Sequence, residues 1–124
     1  MSDARHELGL RGERLAEKHL RRAGCKTLAR RFSTPVGEID LVMADGETIV
    51  FVEVKTQRDR AFQDPELRVT PAKQRKLIRA ARWYLHHRRL DDVPCRFDVV
   101  AVVLPPGGPA EVTHFADAFV PGRW

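Results

Sequence analysis

A chain of 124 residues with 43% hydrophobic content has room for one core and too few residues for two ordinary domains, so one ordered domain over residues 1–124 is expected. No apolar run reaches the length of a membrane span, and residues 1–7 lack the apolar stretch of a secretion signal, so a cytoplasmic protein without membrane contact is expected. The formal charge of +5 is local: residues 67–90 carry eight basic side chains and no acid, which points to a polyanion-facing surface rather than general basicity.

From about residue 6 to 23 the pattern is helical. Leu8, Leu15, Ala16, His19, Leu20 and Ala23 form one stripe, and Gly24 follows as a C-cap. Glu13 sits at the stripe's edge with no basic residue three or four places away. Glu17 has Arg14 and Arg21 at helical spacing and reads as a solvated charge. Glu13 is therefore the acid better placed to look along the helix–core boundary, although a solvated role fits it too.

Residues 25–32 read as a first strand, and Thr34-Pro35-Val36-Gly37 as a turn. Residues 38–42 form a second strand and residues 48–55 a third, joined by a hairpin turn at Asp45-Gly46. With those two as the turn residues, Asp40 faces Phe51 and Glu38 faces Glu53. Glu38, Asp40, Glu53 and Lys55 then share a face, with Asp40 diagonal to Glu53. Residues 57–68 read as a polar loop containing Pro65.

Thr70 and Pro71 are an N-cap and N1 pair that opens a second helix to about residue 89. Leu77, Ile78, Ala80, Ala81, Tyr84 and Leu85 make its core face. Arg75, Arg79, Arg82, His86 and Arg89 line the other side. Trp83 falls on the polar half, where it could stack on a base or pack against a loop or a second subunit. Residues 99–104 are a buried strand entered through Arg96-Phe97-Asp98. Residues 112–115 are a short last strand, followed by a tail to Trp124. Cys25 and Cys95 read as reduced, buried thiols, with no zinc-like spacing. The order α-β-β-β-α-β-β is that of an α/β fold, a mixed sheet flanked by helices.

The chemistry gathers where the buried strand Val50-Phe51-Val52 gives way to Glu53-Val54-Lys55. A buried carboxylate and ammonium are costly unless they pair or meet a ligand. Asp40 and Glu53 suit Mg²⁺ or Mn²⁺, which keep several waters and need few protein ligands. Lys55 could orient the attacking water or stabilise charge on a phosphate, with Glu13 as an additional acid. On the bare pattern the same residues read first as a solvated charged face with Glu53 and Lys55 paired to neighbours, because alternating charges are common on half-exposed strands. The basic helix shifts the balance toward nucleic acid: Lys73, Arg75, Lys76, Arg79 and Arg82 are its candidate contacts.

Arg11-Gly12-Glu13, Leu28-Ala29-Arg30, Gly37-Glu38-Ile39-Asp40-Leu41-Val42 and Val50-Phe51-Val52-Glu53-Val54-Lys55-Thr56 resemble the YraN family of small bacterial proteins. So do Lys73-Gln74, Ala80-Ala81, Tyr84-Leu85, Arg96-Phe97-Asp98-Val99-Val100 and His114-Phe115. The resemblance implies a restriction-endonuclease-like fold of the PD-(D/E)xK type, similar to archaeal-type Holliday junction resolvases. It implies a Mg²⁺- or Mn²⁺-dependent endonuclease in which Asp40 and Glu53 hold the metal, Lys55 is the catalytic lysine and Glu13 the helix acid. Glu38 matches a characteristic position, and the resolvases would also permit Glu17 as the helix acid. The chain departs from the family at Arg31, where Asn is usual, and at Gln57, where Arg is usual.

Three functions fit this sequence. The first is a nuclease acting on nucleic acid, DNA favoured over RNA, with a homodimer open because two scissile strands need two sites. The second is a non-catalytic nucleic-acid-binding module. The third is a protein-interaction or dimer module using Trp83 and Trp124.

Overall fold

The computed structural model describes residues 4–59 and 69–120. Its elements follow the expected order: α1 (Ala4–Arg22), β1 (Lys26–Ser33), β2 (Glu38–Asp45), β3 (Thr48–Gln57), α2 (Pro71–His87), β4 (Cys95–Val103) and β5 (Glu111–Phe119). Pro65, Arg68 and Trp124, and most of the expected loop, lie outside the described residues. Among the described residues no helix is long and apolar enough to cross a membrane.

The strands form one mixed sheet in the order β1-β2-β3-β4-β5. Neighbours pair antiparallel except β3 and β4, which are parallel and are joined through α2. Such a crossover places a helix on a sheet face, so β3 and β4 are buried on both sides. Their apolar runs reflect this: Val50, Phe51, Val52, Val100 and Val102 have no exposed surface. α2 covers one face with Leu77, Ile78, Ala81 and Tyr84 against Ile39, Phe51 and Phe97. α1 covers the other with Ala16 and Leu20 against Leu41, Met43, Val52 and Val100. Each such large apolar side chain contributes about 1.5–3 kcal/mol by leaving water.

The β2–β3 turn is displaced by one residue from the expected position. Asp45 pairs with Thr48, so Gly46 and Glu47 make the turn. Gly46 has φ 59, a left-handed value suited to glycine at the first turn position. The displacement moves the pairing by two residues. Val42, not Asp40, opposes Phe51. Glu38 pairs with Ser33 of β1 rather than with Glu53. Because side chains alternate with period two, a shift of two leaves every β3 side chain on its expected face.

α1 differs from its expected stripe. Gly12 and Glu17 are buried in place of His19 and Ala23, which are exposed. β5 is longer than expected, running to Phe119. Cys25 and Cys95 are both free, Cys25 buried and Cys95 half-buried. Burial pushes both thiols above their usual range.

Candidate active site

The β2–β3 ladder runs from the hairpin turn as far as Leu41↔Val52. Extending the register by one residue sets Asp40 against Glu53. There Asp40 substitutes for the backbone: its Oδ2 accepts the Val54 N–H at 2.8 Å. The strands diverge and a carboxylate sits where a ladder carbonyl would be, held by an amide that would otherwise lack a partner. One residue along, Lys55 Nζ lies 2.9 Å from Glu53 Oε2, with side chains 19% and 23% exposed. Asp40, Glu53 and Lys55 thus come together at the end of β3, in a register two residues from the expected one.

Burial first, and then the Glu53 charge, push the Asp40 carboxyl up to about 7, against the opposing pull of the Val54 amide. A carboxyl whose folded pKa is raised makes the folded protein bind a proton that the unfolded chain releases. Stability therefore falls as pH rises from about 4 to 7 and levels off above that. Asparagine keeps an oxygen for the Val54 N–H and cannot ionise. Asp40→Asn is expected to gain roughly 2–4 kcal/mol over the wild type at pH 8, and clearly less at pH 5. Urea unfolding in metal-free buffer reads this, and an equal difference at both pH values would refute it.

Glu13 enters from α1. Its Oε1 lies 3.2 Å from Arg31 Nε, which also reaches Glu38 Oε1 at 3.7 Å. Burial raises the Glu13 carboxyl; Arg31 opposes this, and Glu38 and Glu53 add to it. Glu13, Glu38 and Glu53 are therefore electrostatic neighbours, with Arg31 between Glu13 and Glu38 and Lys55 on Glu53. Arg31 has φ 47, at a point of β1 where regular alternation fails. On the facing strand, Ile39 and Val42 are three residues apart yet both pack toward α2.

Gly12 sets how close α1 comes. A Cβ on Gly12 would collide with the Oγ1, Cβ and Cγ2 atoms of Thr56. Only glycine lets the helix lie directly on β3, one residue before Glu13. Gly12→Ala is expected to cost about 1–3 kcal/mol through overpacking, despite alanine's better helix propensity. Thermal or urea unfolding measures it, and a stability gain would show that the contact is not tight.

α2 has the expected cap. Thr70 accepts the Lys73 N–H at 3.3 Å, and Pro71 opens the helix. Its first turns border the site: Lys73, Lys76 and Leu77 line a hollow of about 190 Å³ with Gly37, Glu38 and Glu53. Arg75 and Arg79 line a neighbouring hollow with Pro35 and Val36. Arg82 lies farther away, beside Asp91 and Cys95. Trp83 packs on Phe32 at 6.0 Å and stacks on His87 at 3.9 Å, so much of its indole is covered from within the chain.

Two acids carry roles that sequence reasoning missed. Glu17 is not a solvated charge, and the expected Arg21 acts on it only as a minor electrostatic neighbour. Glu17 is buried, and binds Thr27 Oγ1 at 2.6 Å, Arg30 Nε at 2.9 Å and Arg30 Nη2 at 2.7 Å. The Arg30 hydrogen bond holds its carboxyl below the usual range, so it fastens α1 to β1 as an anion. Asp98 has no exposed surface. It accepts from Arg96, from His114 Nε2 at 2.6 Å and from the Asp117 N–H at 2.9 Å. Arg96 continues to Asp45 at 2.8 Å. The β4–β5 register shifts at Asp98, opposite Asp117 with φ 52. Asp98 thus fills a broken ladder as Asp40 does, here inside a closed set of partners. An acid at each place is visible in the sequence; its distant partners are not.

Among the described residues no three His, Cys, Asp or Glu side chains form a complete metal-ligand set. The carboxylates of Asp40 and Glu53 suit a hard divalent cation that keeps most of its water. The cost of ionising Asp40 beside Glu53 is what a cation there would offset.

The family model described as "Uncharacterised protein family UPF0102" matches residues 12–102, which contain Glu13, Glu38, Asp40, Glu53 and Lys55. A UPF0102 protein of Syntrophotalea carbinolica is 48% identical over 124 residues, 100% of both chains. One of Geobacter sulfurreducens is 44% identical over 113 residues, covering 90% of this chain and 88% of the relative. One of Geotalea daltonii is 43% identical over 112 residues, with the same coverage. The chain belongs to the UPF0102 family, the one to which its resemblance to YraN pointed.

Proposed function

We propose that this chain binds nucleic acid, DNA in the first instance, and hydrolyses a phosphodiester bond in it with Mg²⁺ or Mn²⁺, as a restriction-endonuclease-like enzyme of the PD-(D/E)xK type. The observation that carries the reading is the Asp40 carboxylate held on the Val54 N–H, next to Glu53 and Lys55, where the ladder opens. Asp40 and Glu53 would hold the ion. A bound divalent cation polarises a phosphate and lowers the pKa of its water.

The chain's own groups do the rest. Lys55, restrained by Glu53, offers an ammonium to the scissile phosphate or to the attacking water. Lys73 and Lys76, bordering the same hollow, hold the backbone near the carboxylates. Arg31 reaches both Glu13 and Glu38 and so holds them beside the site.

The test is incubation of the purified protein with linear duplex, single-stranded and four-way-junction DNA and with RNA, in Mg²⁺, Mn²⁺ or EDTA. Cleavage in either metal and none in EDTA is expected. Binding without cleavage of any substrate would instead establish a non-catalytic binding module. One observation favours that second reading: Lys55 is closed onto Glu53 rather than turned toward an open site. Absence of both binding and cleavage would overturn both readings.

A further inference from the structure

A second basic surface lies on the face of the sheet away from α2. Arg14, Lys18, Arg21 and Arg22 of α1 line a concavity of about 440 Å³ with Glu17 and with Arg30 of β1. Its one acid is already engaged. Glu17 takes both Nε and Nη2 of Arg30, which fixes that guanidinium. Arg30 is 60% exposed, and Arg14, Lys18, Arg21 and Arg22 are exposed as well. Among the described residues, no carboxylate forms an ion pair with those last four. A merely solvated helix face would mix signs. Between Arg14 and Gly37 the sequence has seven basic residues and Glu17 as the sole acid.

The surface is continuous with the carboxylate site. Arg30 lines the concavity, and its neighbour Arg31 reaches Glu13 and Glu38. The turn after β1 then meets α2, where Pro35 and Val36 share a hollow with Arg75, Lys76 and Arg79. Basic side chains thus run from the α1 face, across the end of β1, to the α2 face. Residues 14–22 span roughly 12 Å of helix axis, the length of three to four phosphates along one strand.

We propose that the α1–β1 concavity is a second phosphate-backbone site, so that one nucleic-acid backbone is gripped on both faces of the sheet, on either side of the carboxylates. This rests on the nucleic-acid reading given above.

The experiment is fluorescence anisotropy with a labelled 30-base-pair duplex DNA across a NaCl series. Wild type is compared with Lys18→Ala/Arg21→Ala/Arg22→Ala and with Arg75→Ala/Arg79→Ala/Arg82→Ala. The substituted side chains are exposed and alanine suits a helix, and circular dichroism checks the fold. The α1 variant is expected to bind about tenfold or more weakly at 0.1 M salt, with a log–log salt slope shallower by about 2 to 3. Wild-type affinity and slope in the α1 variant, with binding lost in the α2 variant, would overturn the second site and leave the nucleic-acid reading standing. Loss in the α1 variant from a wild type that binds but never cleaves would support the second site while the nuclease reading fails. No binding by the wild type would overturn both.

Discussion

Lys55→Ala is expected to lower cleavage by on the order of 10²–10³-fold while leaving DNA affinity within a few-fold of wild type. On the proposed reading Lys55 would be one of many cations that a backbone meets, so its share of binding would be small. Its position beside Glu53 at the end of β3 is not duplicated among the described residues. Glu53→Gln is expected to lose cleavage at least as completely, since it halves the carboxylate pair and unpairs Lys55. In that variant the Asp40 carboxyl should also titrate lower, because the Glu53 charge is the second cause of its elevation. Single-turnover cleavage with a labelled duplex, beside anisotropy under the same conditions, separates chemistry from binding. Equal loss of both in Lys55→Ala would move this lysine from the reaction to backbone contact. Unchanged cleavage in Glu53→Gln would remove the carboxylate pair from the mechanism.

Asp98→Ala is expected to destabilise the protein by about 3–5 kcal/mol, the range for breaking a buried ion pair from one side. Asp98 is wholly buried, and its removal strands three donors: Arg96, His114 and the Asp117 amide. The Arg96 guanidinium, whose pKa Asp98 raises, would keep only Asp45. The β4–β5 bulge would lose the group that satisfies its amide. Urea denaturation at neutral pH measures the loss. A loss below about 1 kcal/mol would mean that water takes over these contacts without cost. Because Asp98 stands apart from Asp40 and Glu53 in the hydrogen-bond network, folded Asp98→Asn protein should keep its nucleic-acid affinity.

What the sequence made legible was what local periodicity controls. The buried face of α2, from Leu77 to Leu85, follows from helical spacing alone, and its start follows from Thr70 and Pro71. The meeting of Asp40 with Glu53 survived a misplaced turn because a two-residue slip conserves side-chain faces. What local pattern could not supply was the partner of a charge. Glu17 looked solvated because Arg14 and Arg21 lie near it in the helix, yet its partners come from β1. Asp98 looked like an entry into a strand, while its function depends on a bulge sixteen to nineteen residues away. Gly12 read as a motif letter; the reason for it is Thr56, on another element.

The parallel pairing of β3 with β4 has a consequence for the nascent chain. β1, β2 and β3 follow one another directly and can pair as they emerge, so Glu13, Asp40, Glu53 and Lys55 are all present early. The far edge of β3 must wait for β4, with residues 58–94 between them. At roughly 5–20 residues per second, that leaves the Val50–Val54 run without its partners Arg96–Val100 for about 2–9 s. An uncovered apolar edge of this kind is a template for intermolecular strand addition. The segment that later carries Glu53 and Lys55 is thus also one that needs shelter at the ribosome.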